Sequence, residues 1–236
     1  MQLEEIEQDY QEVKKSFQER DNSTVATEIA REMPEFPILE DVFGYLIDVF
    51  NGQVRRDNKT PLVFHSIYLT KLLYLCGEKN LDSHLVAALH DVIEDTDVGE
   101  EELIRQSFLE GREYLIKYLE ILTEDKSLSR DPDGKTLPQR YVTHIKKMIG
   151  APKEVVNLEI VDRFSDMMDL EYILELPDEK RKMRLRSKVL KVSSFVANII
   201  SDREDYNPNC LALFNAKLDK LRNEHEVDIS PEIVTP

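Results

Sequence analysis

Glycine, cysteine and positive charge are all in short supply in this chain of 236 residues. There are only seven glycines, while Leu, Glu, Lys and Asp are abundant. That balance disfavours a turn-rich β fold and favours an all-α protein. The two cysteines, Cys76 and Cys210, are far apart in apolar helical surroundings. They read as buried thiols, not a disulfide, and fit a reducing, cytoplasmic setting. No apolar run approaches the roughly 18 residues of a membrane span, and no basic-then-apolar leader opens the chain. The formal net charge of −16 excludes broad binding to polymeric nucleic acid, because phosphate backbones select basic faces. An anionic small substrate would need a local basic pocket on this acidic background.

A hydrophobic content of 41% supports a sizeable core. No internal repeat and no low-complexity linker divides the chain, so a single compact bundle of roughly ten helices is expected. Residues 1–34 read as an N-terminal helical extension, 35–205 as the main domain, and 206–236 as a closing helix and tail on the same domain. Within the extension, Leu3, Ile6, Tyr10, Val13 and Phe17 recur at helical spacing. A short helix is expected in 21–34, and another over 36–51 that stops at Asn51-Gly52. The next should begin at Pro61, a favoured first-turn residue, and stop at Gly77. A run of helix to about Thr123, a helix over 138–149, a strongly apolar one over 153–174, and closing helices over 178–202 and 208–225 complete the reading.

The segment Leu89-His90-Asp91-Val92-Ile93-Glu94-Asp95-Thr96 concentrates groups that hold a metal or move a proton. Asp82 or Ser83 can cap a helix leading into it. If that helix continues through Asp95, His90 and Glu94 share one face and Asp91 and Asp95 the adjoining one. Acids late on a helix are usually solvated, and they oppose the dipole; a cation at that helix end would offset the cost. Upstream, residues 53–61 carry Arg55, Arg56 and Lys59 within five positions. They read either as a solvated loop or as a phosphate clamp, since Arg offers a bidentate fork to phosphate oxygens. His65 lies among Leu62, Val63, Phe64 and Ile67; a lone histidine there is more often a core residue than a ligand. The longest polar loop, 124–135, holds Lys126, Arg130 and Lys135, which can meet an anion or simply solvent. Asp162 falls within the apolar face of the 153–174 helix, so it requires an Arg, a proton or a metal.

In order, His65, His90-Asp91 and Asp162 make a mixed nitrogen and oxygen set of two imidazoles and two carboxylates. Such a set suits manganese, zinc, iron or a similar divalent ion and lacks the thiolates of a structural zinc site. This order resembles the HD-domain metal-dependent phosphohydrolases. Gly52-Gln53-Val54-Arg55-Arg56, Pro61-Leu62-Val63-Phe64-His65, Leu89 to Thr96 and Val161-Asp162-Arg163 together resemble the hydrolase domain of the RelA/SpoT-type alarmone enzymes. The likeness covers residues from about 36 to 205 and points to a small stand-alone form.

The resemblance implies removal of the 3′-pyrophosphate from guanosine tetra- and pentaphosphate. It implies His65, His90, Asp91 and Asp162 as ligands of one Mn²⁺, with Zn²⁺, Fe²⁺ or Mg²⁺ as substitutes. Glu94 and Asp95 become the acidic pair that orients and deprotonates the attacking water. Arg55 and Arg56 become holders of the nucleotide phosphates, with Lys59 beside them. Asp166 and Asp169 stand where the family usually has Asn and Thr that help hold the nucleotide. The loop before His65 is one residue longer than usual, and Leu62 replaces a usual Tyr. The implied partner is a small phosphorylated nucleotide. Another nucleotide, such as NADPH carrying its 2′-phosphate, or a non-catalytic sensing role, are the competing readings. The sequence leaves the oligomeric state open.

Overall fold

The computed structural model describes residues 2–125, 139–170 and 178–225. Regular structure among them is helical, apart from one isolated antiparallel bridge between Val54 and Pro61. The chain divides into two compact units, Met1–Thr123 and Glu124–Pro236.

In the first unit, α1 (Leu3–Glu19) buries Ile6, Tyr10, Val13 and Phe17, the stripe its spacing dictates. The stripe lands on α4 (Val63–Leu75). Tyr10 meets Phe64 and Tyr68 edge-on at centroid distances of 5.3 and 4.9 Å, and Phe17 meets Phe64 at 5.8 Å. The second helix, α2 (Asn22–Arg31), is capped by Asp21, whose carboxylate accepts the Thr24 N–H at 2.8 Å. The third, α3 (Leu39–Val49), starts later than residue 36, because Pro37 disfavours helical backbone at the residue before it. Lys71 is buried yet ion-paired, 2.7 Å from Asp9 and 3.0 Å from Glu32, which ties α1, the α2 terminus and α4 together.

Helix α4 is the centre of this unit. Every residue from Val63 to Leu73 is buried, and α1, α2, α3 and α5 (Leu81–Leu89) all pack on it. It begins two residues later than expected. Pro61 is committed instead to the bridge with Val54, and the Leu62 N–H donates to the Gln53 carbonyl. It stops as expected at Gly77, whose φ of +79° suits glycine. The cap of α5 is Asn80, accepting the Asp82 N–H at 3.0 Å, and not Asp82 or Ser83. The continuous helix expected up to Thr123 is broken. Beyond the short α6 (Val92–Asp95) and residues 96–99, that run resolves into α7 (Glu100–Leu103), a 3₁₀ turn (Ser107–Leu109) and α8 (Leu115–Leu122). Gly111, at φ +73°, turns the chain between the last two.

The second unit contains α9 (Gln139–Lys147), α10 (Lys153–Met168), α11 (Glu179–Ile200) and α12 (Pro208–His225). Helix α10 packs on α11 and α12, and α11 packs on α9. The break between α9 and α10 leaves helix-end carbonyls that need donors. Arg203 supplies them, donating to the carbonyls of Met148 (2.6 Å), Ile149 (3.3 Å) and Ala151 (2.9 Å). Most of the polar loop over 124–135, with Lys126, Arg130 and Lys135, and the far end of the 153–174 helix lie outside the described residues. Cys76 and Cys210 are buried thiols. Among the described residues no helix is long and apolar enough to cross a membrane.

Replacing Arg203 with Ala strands the three carbonyls, and a loss of about 1–3 kcal/mol is expected. Urea unfolding of the Arg203→Ala chain, read by helical circular dichroism, checks it.

Candidate metal centre

The expected unbroken helix through Asp95 does not form. Helix α5 ends at Leu89 and α6 starts at Val92, so His90 and Asp91 occupy the junction. His90 and Glu94 are therefore not one turn apart on a single helix. Glu94 and Asp95 are the last two residues of the single-turn α6, which is too short to carry an appreciable dipole.

The junction brings His90 and Asp91 up to His65, which lies in the first turn of α4. Packing of α4 against α5 sets the two imidazoles edge-to-face at 5.2 Å. Ligand atoms of His65 and His90 lie within 4.8 Å of each other. The Asp91 carboxylate sits against both: Oδ1 is 3.1 Å from His90 Nε2 and Oδ2 is 3.9 Å from His65 Nε2. Both rings are buried, and Asp91 is partly exposed.

Proton placement shows what this arrangement requires. His90 Nδ1 is 2.9 Å from the Ala87 carbonyl, which can only accept, so Nδ1 carries the proton. In the neutral ring, Nε2 then presents a lone pair to a carboxylate oxygen. Two acceptors at 3.1 Å repel; a proton on Nε2 or a metal ion between them relieves this. Ligand atoms bound to one ion at about 2.0–2.2 Å stand roughly 3–4 Å apart, the range found here. A carbonyl that fixes the tautomer of a ligating imidazole is also the usual outer support of such sites. These residues fit a divalent metal.

Around this centre the acidic turn and the cationic loop are joined. Gln53 Nε2 donates to the Asp95 carbonyl at 3.3 Å. Thr96 closes the turn, donating its hydroxyl to the Val92 carbonyl and accepting the Val98 N–H. Glu94 is partly buried and Asp95 exposed; Arg55 is partly buried, while Arg56 and Lys59 are exposed.

The remaining sequence-predicted residues belong to α10 in the second unit. Asp162 has the cationic partner its position demanded: Arg163, which contacts its Oδ2 closely. Arg163 Nη1 also bonds Asp166 at 2.7 Å, and its Nε lies 2.9 Å from Glu159 Oε1. That last contact is charge attraction without the alignment of a hydrogen bond. Glu159 Oε2 in turn meets His144 Nε2 at 3.0 Å. Asp169 is partly exposed at the α10 C-cap.

Burial drives the Glu159 carboxyl up, but the Arg163 charge and the His144 contact outweigh it and hold it below the ordinary range. Burial likewise pulls the Arg163 guanidinium down, and Asp162, Glu159 and Asp166 more than reverse it. The sequence reading missed Glu159 and His144, although a Glu four residues before an Arg on an apolar helix was a usable signal.

No family model matches the sequence. Among curated proteins, the chain is 26% identical over 215 residues to a GTP pyrophosphokinase of Myxococcus xanthus, covering 82% of this chain and 26% of that protein. It is 24% identical over 216 residues to the putative GTP diphosphokinase RSH1, chloroplastic, of Oryza sativa subsp. japonica, covering 83% and 23%. The chain thus spans about a quarter of the length of these relatives. Among solved structures, one of a metazoan ortholog of SpoT, described as hydrolyzing ppGpp and acting in starvation responses, superposes with a TM-score of 0.61. It covers 82% of this chain and 97% of that one at 20% identity, a likeness of fold. In fold and in sequence, this chain is similar to the RelA/SpoT group.

The depressed Glu159 carboxyl contributes stability above its ordinary pKa of about 4.3 and loses it as pH falls through its lower folded value. Glu159→Gln should therefore cost about 1–3 kcal/mol near pH 7. The gap to the parent chain should narrow below about pH 4. Urea midpoints of both chains across that range test this.

Proposed function

We propose that this chain is a metal-dependent phosphohydrolase that removes the 3′-pyrophosphate from guanosine tetra- and pentaphosphate. The observation that carries this reading is the convergence of His65, His90 and Asp91 on one point, a nitrogen and oxygen donor set that suits a divalent ion. Likeness to the RelA/SpoT group supplies the substrate class, and residues 35–205 are the proposed hydrolase domain. The metal is proposed to be Mn²⁺, with Asp162 of α10 as the fourth ligand. When bound, such an ion lowers the pKa of water and draws charge from phosphoryl oxygens.

The protein groups divide the remaining work. Glu94 or Asp95 accepts the proton of the attacking water, which suits carboxylates beside but outside the ligand set. Water oxygen bonds to the phosphorus next to the ribose, and the 3′ O–P bond breaks. The freed 3′ oxygen ends protonated, and pyrophosphate leaves with GDP or GTP. Arg55, Arg56 and Lys59 hold the phosphates. Asp166 and Asp169 can only accept, so they serve ribose hydroxyls and not phosphate oxygens. Those two acids favour a second reading, in which a differently phosphorylated nucleotide such as NADPH is the substrate. Both readings place a soluble enzyme in the cytoplasm, acting on a small nucleotide.

Incubation with Mn²⁺ and guanosine tetraphosphate should yield GDP and pyrophosphate in equal amounts. Release of orthophosphate, or turnover of NADPH alone, would replace the substrate. Asp91→Ala should lose Mn²⁺ affinity and activity together. Glu94→Gln should keep Mn²⁺ affinity while kcat falls about 10²- to 10⁴-fold. Arg55→Ala should raise KM about tenfold with little change in kcat. Calorimetric Mn²⁺ titration and steady-state kinetics separate these effects.

A further inference from the structure

The loop that carries Arg55, Arg56 and Lys59 is built as a small closed hairpin. Beyond the Val54–Pro61 bridge, the Arg55 N–H donates to the Thr60 carbonyl at 2.8 Å and the Leu62 N–H to the Gln53 carbonyl at 3.0 Å. Asn58 sits at the tip with φ +56°, a left-handed conformation Asn tolerates. Asp57 fills the inside. Its Oδ1 accepts the N–H groups of Lys59 (2.9 Å) and Thr60 (2.8 Å), and its Oδ2 accepts the Thr60 hydroxyl at 2.5 Å.

Two further ties come from outside the loop, and both come from α1. Lys14 Nζ lies 3.5 Å from Asp57 Oδ2, with side chains only 12% and 8% exposed, so this is not a solvent-screened surface pair. Gln18 Nε2 donates to the Thr60 hydroxyl at 2.7 Å, and Thr60 itself is fully buried. Lys14 and Gln18 are one turn apart on the same face of α1. Next to that face, Tyr10 and Phe17 clamp Phe64 at the start of α4. Loop and His65-bearing helix are thus referenced to one helix that itself bears no predicted catalytic group. Burial raises the Asp57 carboxyl, but the Thr60 and Lys59 hydrogen bonds and the Lys14 charge hold it ionised, below its ordinary range.

An ionised carboxylate inside a phosphate-binding loop needs compensation, or it cancels one of the three cations. Lys14 provides that compensation while it fixes the loop. We propose that Lys14 and Gln18 of α1 are positioning residues for the Arg55–Lys59 phosphate loop, so that α1 sets affinity for the anionic substrate. This rests on the phosphohydrolase reading above. A loop already fixed loses little freedom when the nucleotide docks, and the benefit appears in binding, not in the chemical step.

The test uses the full chain with Lys14→Met and Gln18→Ala combined, and Lys14→Arg as the conservative control. Amide exchange of the Arg55, Thr60 and Leu62 N–H groups should accelerate about tenfold in the double variant. The Kd for guanosine tetraphosphate, measured without metal so that nothing turns over, should rise about tenfold, and KM should follow. Kcat and Mn²⁺ affinity should stay at the parent values, and Lys14→Arg should restore most of the affinity. Unchanged exchange, or faster exchange with unchanged Kd, overturns the proposal. A parallel fall in kcat and Mn²⁺ affinity also overturns it, because it marks general damage. If the parent chain binds the nucleotide without cleaving it and the double variant still binds more weakly, the hydrolase reading fails and the positioning role stands.

Discussion

In its neutral form His90 turns an accepting ring nitrogen toward the Asp91 carboxylate, and the packing of α4 against α5 sets His65 beside the pair. The Ala87 carbonyl fixes the His90 proton on Nδ1, so the lone pair of Nε2 points at Asp91. Burial of both imidazoles keeps water from relieving the repulsion cheaply. A proton or a metal between them removes it. The break between α5 and α6 makes this possible, because a continuous helix would direct His90 and Asp91 outward on different azimuths. Interrupting the helix turns two neighbours in sequence into two donors at one point.

The same break puts Glu94 and Asp95 in a separate single turn, α6, that begins directly after Asp91. Gln53 then links this turn to the cationic loop, so acid and cation groups share one framework within the unit.

Apolar periodicity carried most of the fold because it depends on helix geometry alone. The stripe Ile6, Tyr10, Val13 and Phe17 gave α1, and the closing helices lie close to their expected limits. What the pattern missed are events in which a local backbone need outweighs periodicity. Pro61 was claimed by a bridge, Asn80 reached the α5 cap before Asp82, and Gly111 cut a run that looked continuous. The candidate site was legible as residue types in order: two imidazoles and an acid do meet. Asp57 was not, because an acid among cations reads as charge balance until its four short contacts are seen.

Two acidic clusters in this protein are managed by opposite means, and the contrast bears on the chemistry. In the second unit, Glu159, Asp162 and Asp166 share one guanidinium, and Arg163 is so well satisfied that its proton is held more tightly than usual. An organic cation there neutralises charge permanently and cannot leave. His65, His90 and Asp91 offer two ring nitrogens and a carboxylate, a donor set that a removable cation can occupy. Permanent neutralisation suits a scaffold, whereas a centre that must polarise water needs an ion with room for further ligands. Anchoring by Arg163 limits the side-chain freedom of Asp162 and orients one of its oxygens.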